Sequence, residues 1–355
     1  MTITRDEIFA TLAQITDPIS GKDIVAAEIV RALTIEGGEV RFIMEVASEH
    51  GKAMEAVRAV AVRAVESLPG VSKVSALLTA HTAKAPPNLT IGRHATPQAG
   101  PTKPAGVKTI IAVASGKGGV GKSTVASNLA VALAAQGKKT GLLDADFYGP
   151  SQPRMMGVSG RPQSPDGTNM IAPVAHGVTM MSLGLLTKDD EAVVWRGPML
   201  MGALQQMMGQ VLWGELDVLL VDLPPGTGDV QLTLCQKTEL AGAIIVSTPQ
   251  DVALLDARKA LSMFAKLNTP IIGMIENMSS YICPNCGVEA HIFGHGGAAL
   301  EAAKQGMPFL GEIPLDLAIR LAGDDGTPIV AARPDSPQAQ AFTRIARYLI
   351  ASAVV

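Results

Sequence analysis

The sequence predicts an α/β chain in which a doubly wound, mostly parallel sheet follows a small α+β domain. Three observations carry this. From Lys108 onward, short apolar runs alternate with stretches of helical spacing, the pattern of successive β-α units. One junction, between the runs 109–114 and 125–135, holds Gly116-Lys117-Gly118-Gly119-Val120-Gly121-Lys122-Ser123, a G-x-x-x-x-G-K-S loop. A stretch rich in Pro, Thr, Ala and Lys, 82–107, separates this region from residues 1–81 and reads as a semi-extended linker. The expected division is therefore 1–81, 82–107 and 108–355.

Composition narrows the classes of function. A chain of 355 residues can hold one large core or two domains. Its net charge of -3 argues against general nucleic-acid affinity. No apolar run approaches the roughly 18 residues that a bilayer span needs. Residues 1–14 carry Asp6 and Glu7 and lack the apolar centre of a secretory signal. Three cysteines, an odd number in a long chain, build no disulfide framework. The expectation is a cytoplasmic protein with neither nucleic acid nor membrane as partner.

In the small unit, residues 4–15 read as a helix with Ile8, Phe9, Leu12 and Ile15 on one face. Asp17-Pro18-Ile19-Ser20-Gly21 is a turn cluster. Residues 24–35 and 40–46 read as two strands about Gly37-Gly38, 50–68 as a second amphipathic helix, and 71–78 as a last strand. This order implies an antiparallel sheet with helices packed on it.

The loop at 116–123 has a chemical reason for its spacing. Glycines let backbone N–H groups approach a polyphosphate, and the following helix adds positive potential at its N-terminus. Lys122 is placed for the β- and γ-phosphates and Ser123 for Mg²⁺. The nucleotide-binding set is Gly116, Lys117, Gly118, Gly119, Val120, Gly121, Lys122, Ser123 and Thr124, with ATP and Mg²⁺ as cofactors. Lys117 makes the stretch K-G-G-V-G-K-S. In this it resembles the deviant loop of the dimeric P-loop ATPases, which include the nitrogenase iron protein, septum-site and partition ATPases, and the Mrp-type iron–sulfur cluster carriers. The resemblance implies that Lys117 reaches across a homodimer interface to the partner's nucleotide.

Further strands end in chemistry. Residues 140–143 lead to Asp144-Ala145-Asp146, carboxylates at the carboxyl end of a parallel strand, where Mg²⁺ and attacking water must be held. By resemblance, Asp146 positions or activates the water and Asp144 lies near the metal. Residues 217–221 lead to Asp222, a third Mg²⁺ residue at the Walker B position. After it, Pro224-Pro225-Gly226-Thr227-Gly228-Asp229 resembles the second switch of the Mrp-type carriers, a loop suited to two conformations. Strands at 243–246 and 271–274 flank a helix at 252–266. Glu276-Asn277-Met278 follows the second strand, and the resemblance makes Asn277 the adenine contact.

Tyr281-Ile282-Cys283-Pro284-Asn285-Cys286-Gly287 brings two thiols together, half of a tetrahedral site. Three completions compete: zinc with His291 and His295, a redox dithiol, or a [4Fe–4S] cluster shared by two chains. The dimer implied by Lys117 favours the last, and C-P-x-C-G after E-N-M-S resembles the Mrp-type carriers. Cys235 reads as a small buried hydrophobe, and His291 and His295 as loop or cap residues. A strand at 309–313 and a helix at 336–350 close the chain, the helix packing Phe342, Ile345, Ala346 and Leu349 on the sheet rather than on a membrane.

The small unit resembles the iron–sulfur assembly domain found ahead of Mrp-type ATPases. The likeness rests on the Asp17-Pro18 turn, an Asp23-Ile24-Val25 strand entry and the Gly37-Gly38 hairpin. It has no cysteine, so it is expected to contact a partner or cluster site rather than hold metal. Together these resemblances imply a slowly hydrolysing ATPase, with catalytic Lys117, Lys122 and Asp146. It would carry a labile cluster on Cys283 and Cys286 and exchange it with scaffold proteins and apo iron–sulfur proteins. A positioning ATPase of the partition or septum type and a zinc-containing metallochaperone are the alternatives.

Overall fold

The computed structural model describes residues 3–19, 21–27, 29–36, 38–47, 51–81, 103–186 and 197–355. They fall in two compact units, Met1–Gly92 and Arg93–Val355. Of the linker expected at 82–107, residues 82–102 lie outside the described residues, as do Gly37 and His50.

The small unit runs α1 (Arg5–Leu12), β1 (Val30–Glu36), β2 (Glu39–Ala47), α2 (Gly51–Glu66) and β3 (Lys73–His81). Thr4 caps α1 in a reciprocal box: its backbone N–H donates to Glu7 at 2.8 Å, and the Glu7 N–H returns to the Thr4 hydroxyl. Ile8 and Leu12 of α1 are buried with Met54 and Val57 of α2 and Phe42 and Met44 of β2.

Two expectations are corrected here. The sheet is mixed: β1 and β2 form an antiparallel hairpin about Gly38 (φ +90), but β2 and β3 are parallel. The helix between β2 and β3 returns the chain to its starting end, which forces parallel pairing. Asp23, Ile24 and Val25 are not a strand entry. The Asp23 carboxylate accepts from the backbone N–H of Val25 and of Ala26, closing a turn that delays β1 to Val30.

The large unit runs β4 (Val107–Ala114), α3 (Lys122–Ala135), β5 (Thr140–Asp144), α4 (Gln152–Met155), β6 (Met170–Ile171), β7 (Val174–Ala175) and β8 (Val178–Ser182). It continues through α5 (Gly197–Gly209), β9 (Val211–Leu212), β10 (Leu216–Asp222), α6 (Asp229–Lys237), β11 (Gly242–Ser247) and α7 (Asp251–Lys266). It ends with β12 (Ile271–Asn277), β13 (Tyr281–Ile282), β14 (Glu289–Ala290), α8 (Gly297–Gln305), β15 (Phe309–Ile313), α9 (Leu317–Asp324), α10 (Ile329–Ala332) and α11 (Pro337–Ala351).

The main sheet has the order β15-β12-β11-β4-β10-β5-β8-β7, parallel except for the β7–β8 edge. Its central strands are buried along nearly their whole length, as helices on both faces require. Small residues in α3, such as Ala126, Ala130 and Ala132, are fully or nearly fully buried, and α11 packs against this helix. In α11, Phe342, Ile345, Ala346 and Leu349 are buried, the packing expected. Among the described residues no helix is long and apolar enough to cross a membrane.

Parallel pairing brings the functional strand ends to one edge. Asp222 at the end of β10 is in register with Asp144 on β5 and with Val113 on β4, one strand from the glycine loop. Strand β12 runs on through Glu276 and Asn277, which therefore close the strand rather than follow it.

Candidate functional site

The glycine loop is held by packing as well as by conformation. A Cβ on Gly116 would lie 2.1 Å from the backbone of Asp256, so only glycine lets α7 come this close. Gly121 (φ +79) caps α3 in the left-handed region, and a Cβ there would meet the Asn277 amide at 2.2 Å. That amide donates to the Val120 carbonyl at 2.8 Å. At the foot of the loop, the Ser115 hydroxyl donates to the Lys117 carbonyl and the Gly226 N–H donates to the Ser115 carbonyl, both at 2.9 Å. The loop thus touches the strand end carrying Asn277 and the Pro-Pro-Gly turn after β10.

Lys122 is buried at 5% exposure and pairs with the fully buried Asp222. The other Asp222 oxygen accepts from the Gln152 amide at 2.8 Å, and the same amide nitrogen donates to the Ser123 carbonyl at 3.0 Å. Asp144 accepts from the backbone N–H groups of Asp146 and Gln152, both at 3.1 Å, and from the Ser182 hydroxyl at 3.0 Å. Burial, then the charge of Asp222, pushes Asp144 up to about 7. Burial also raises Asp146, against the opposing pull of Lys122.

Two neighbouring buried carboxylates, of which only Asp222 pairs with the Lys122 ammonium, form a setting that a divalent cation relieves, so the donor set fits Mg²⁺. A second observation agrees. Among the described residues, Gln152 Oε1 is a buried side-chain acceptor with no partner. Reversing the amide would set that oxygen against two acceptors, so its orientation is fixed by Asp222 and Ser123. Ser123, Asp144 and Asp222 would hold the metal shell, with Gln152 bridging them.

Gln152 and Ser182 escaped sequence reasoning. Ser182 had a faint signal, a polar residue ending the apolar run of β8 in register with Asp144. Gln152 had none, because it opens a four-residue helix. Gln152→Leu keeps the volume and removes the bridge. The expected result is a loss of about tenfold in the enhancement of ADP binding by Mg²⁺, measured by calorimetry with and without the metal. An unchanged enhancement would assign the bridge to packing alone.

The cysteine pair sits on a β-hairpin that periodicity did not reveal. Strands β13 and β14 pair Tyr281 with Ala290 and Ile282 with Glu289. The turn is closed by Cys283 N–H to the Val288 carbonyl at 3.0 Å and Gly287 N–H to the Cys283 carbonyl at 2.8 Å. Cys283 is half-buried and Cys286 exposed. Backbone N–H groups of Asn285 and Cys286 pull the Cys283 thiol below its usual range, toward the thiolate that metal ligation uses. Ile282, Val288 and Ile292 are more than half exposed on the same hairpin. Neither histidine joins the thiols: among the described residues no group of three or more candidate ligands includes a cysteine. Cys235 is only half-buried on α6, where burial pushes its thiol up.

A family model for the NUBPL iron-transfer P-loop NTPase matches residues 106–350. The chain belongs to this family. It is thus a P-loop NTPase, as the loop motif and the Mrp-type resemblance led us to expect. A second model, for an iron–sulfur cluster assembly protein, matches residues 5–77. The iron–sulfur cluster carrier protein of Synechocystis is 42% identical, over 98% of this chain and 97% of its own length. The Escherichia coli K12 protein of the same name is 54% identical over 69% of this chain and 65% of its own length. Among solved structures, a nucleotide-binding protein from Archaeoglobus fulgidus in complex with ADP is 40% identical, with a TM-score of 0.58 over 67% of this chain and 92% of its own. The cell division ATPase MinD of Pyrococcus furiosus, at 24% identity over 69% of this chain and 99% of its own, shares the fold at a TM-score of 0.52.

Proposed function

We propose that this NTPase is an ATP-dependent carrier of iron–sulfur clusters that works as a homodimer. Cys283 and Cys286 of two subunits would hold one [4Fe–4S] cluster as cargo. The observation that carries this reading is the hairpin itself: two accessible thiols at its turn, flanked by exposed Ile282, Val288 and Ile292. An apolar collar about half of a metal site suits a surface completed by a second copy. The naming of the Synechocystis relative, matched almost end to end, supports the cargo.

In this reading Lys122 leaves Asp222 when ATP enters and turns to the β- and γ-phosphates. Asp222, Asp144 and Ser123 would hold the Mg²⁺ shell, and the ion would supply positive charge opposite the phosphates. Asp146 orients the attacking water. Lys117, half-exposed on the loop, reaches the nucleotide of the other subunit. Asn277 meets adenine while keeping its bond to Val120.

Coupling between the sites has a short physical route. Asn277 touches the glycine loop, Ser279 is tied to the Ile313 carbonyl, and His291 at the end of the hairpin bonds the Ser279 carbonyl at 2.9 Å. Movement of the loop on ATP binding would therefore reach the thiols through one continuous strand and hairpin. By linkage, the cluster must change nucleotide affinity in return. Recipients are apo iron–sulfur proteins, donors are scaffold proteins, and the reducing cytoplasm keeps the thiols available.

The test is sedimentation of the full chain with ATP and Mg²⁺, with and without a reconstituted cluster. The parent chain is expected to dimerise with ATP, whereas Lys117→Ala stays monomeric and still binds ADP. A parent chain that remains monomeric under every condition overturns the shared site.

A further inference from the structure

Beside the cysteine hairpin, but without any sulfur, three side chains from three parts of the large unit converge. Glu276 closes β12, His295 precedes α8 and Glu312 lies on β15, and one ligand atom from each lies within 4.8 Å of the others. Glu276 is fully buried. Its two oxygens accept from the backbone N–H groups of Gly296 at 2.8 Å and Ala298 at 2.7 Å, which lock the carboxylate in place. His295 Nε2 stands 3.2 Å from Glu312 Oε2, and both side chains are more than a third exposed. The imidazole of His291 lies with its centroid 4.4 Å from that of His295. Its Nδ1 is engaged by the Ser279 carbonyl, and its Nε2 has no protein partner among the described residues.

A helix cap and a surface ion pair account for parts of this cluster but not for its convergence. Two carboxylates share the site, and among the described residues no lysine or arginine pairs with either. Like charges brought together in this way cost free energy unless a cation lies between them. The donor set is one imidazole nitrogen and two carboxylates, and the imidazole suits first-row transition metals rather than Mg²⁺ or Ca²⁺. Bonds of about 2.1 Å in tetrahedral geometry set donor atoms about 3.4 Å apart. Closing from the present spacing asks only that the exposed His295 and Glu312 side chains move inward. Glu276, held by two amides, already has the outer support that metal-binding carboxylates use.

We propose that Glu276, His295 and Glu312 form a mononuclear site for a divalent first-row transition-metal ion, with water as its fourth ligand. The site is separate from the thiolate pair. It would tie the ends of β12 and β15 to the start of α8, so its ion would stabilise the large unit as well as occupy it.

The test uses the full chain carrying Cys283→Ser and Cys286→Ser, so that thiolates take no part, titrated with Co²⁺ in the absence of oxygen. One equivalent is expected to bind, giving visible ligand-field bands without sulfur-to-metal charge transfer and raising the melting temperature. His295→Ala and Glu312→Ala, each in that background, are expected to weaken Co²⁺ binding at least about tenfold and to leave ADP affinity unchanged. Zn²⁺ in competition should displace the Co²⁺. Glu276 is left intact because its removal also uncaps α8. The proposal fails if the parent binds no Co²⁺, or if both variants bind it as tightly as the parent.

Discussion

Lys122→Ala is expected to lose ATP hydrolysis by at least about a hundredfold, as removal of a group that stabilises transition-state charge does. It is also expected to destabilise the nucleotide-free protein, for a different reason. Lys122 is the cation that pairs with the fully buried Asp222. Removing one partner of such a pair leaves an uncompensated buried charge, at a cost of about 3–5 kcal/mol. In a domain of this size that is a fall in melting temperature of about 10 °C. The double variant Lys122→Ala/Asp222→Asn separates the two roles. It should recover most of the lost stability, since the orphaned charge is gone, and none of the hydrolysis. A single variant that hydrolyses ATP at the parent rate would falsify the assignment of Lys122 to the phosphates.

Cys283→Ser and Cys286→Ser carry the other large effect. Anaerobic reconstitution of the parent chain is expected to give about four iron and four sulfide per dimer. Either single substitution removes two of the four thiolates at once, because both subunits change. Stable iron and sulfide should therefore fall to near zero, read from the metal count and the visible absorption. Cys235→Ser is the control and should match the parent, since Cys235 lies partly buried on α6. Equal uptake by the parent and both hairpin variants would remove the thiols from the cargo site. Loss of uptake with unchanged ATP-dependent dimerisation would keep the two sites distinct.

Much of this molecule is legible along the chain because the relevant signals are local. A glycine loop must sit between a buried strand and a helix, and the spacing of Gly116, Gly121, Lys122 and Ser123 carries that within eight residues. Strand ends at Asp144 and Asp222 follow from apolar runs that stop at a carboxylate. Where the reading failed, the deciding feature was one that hydrophobic periodicity does not carry. The turn at Asp23 comes from its side chain capturing two backbone amides, which hydrophobic periodicity cannot register. The parallel β2–β3 pair follows from the return of the chain through α2, whereas the element order was read as an antiparallel sheet. The strands of the cysteine hairpin are two residues each, too short for any period.

The sequence alone determined the fold class, the nucleotide loop and the presence of a thiol pair, because each is written in neighbouring residues. Only the tertiary structure decided how Asp144, Gln152, Ser182 and Asp222 meet, and that His295 belongs with two glutamates rather than with the cysteines. Hydrogen bonds within those groupings join residues between 8 and 70 positions apart. They are brought together by the register of parallel strands and by the reach of buried side chains, neither of which any local pattern encodes.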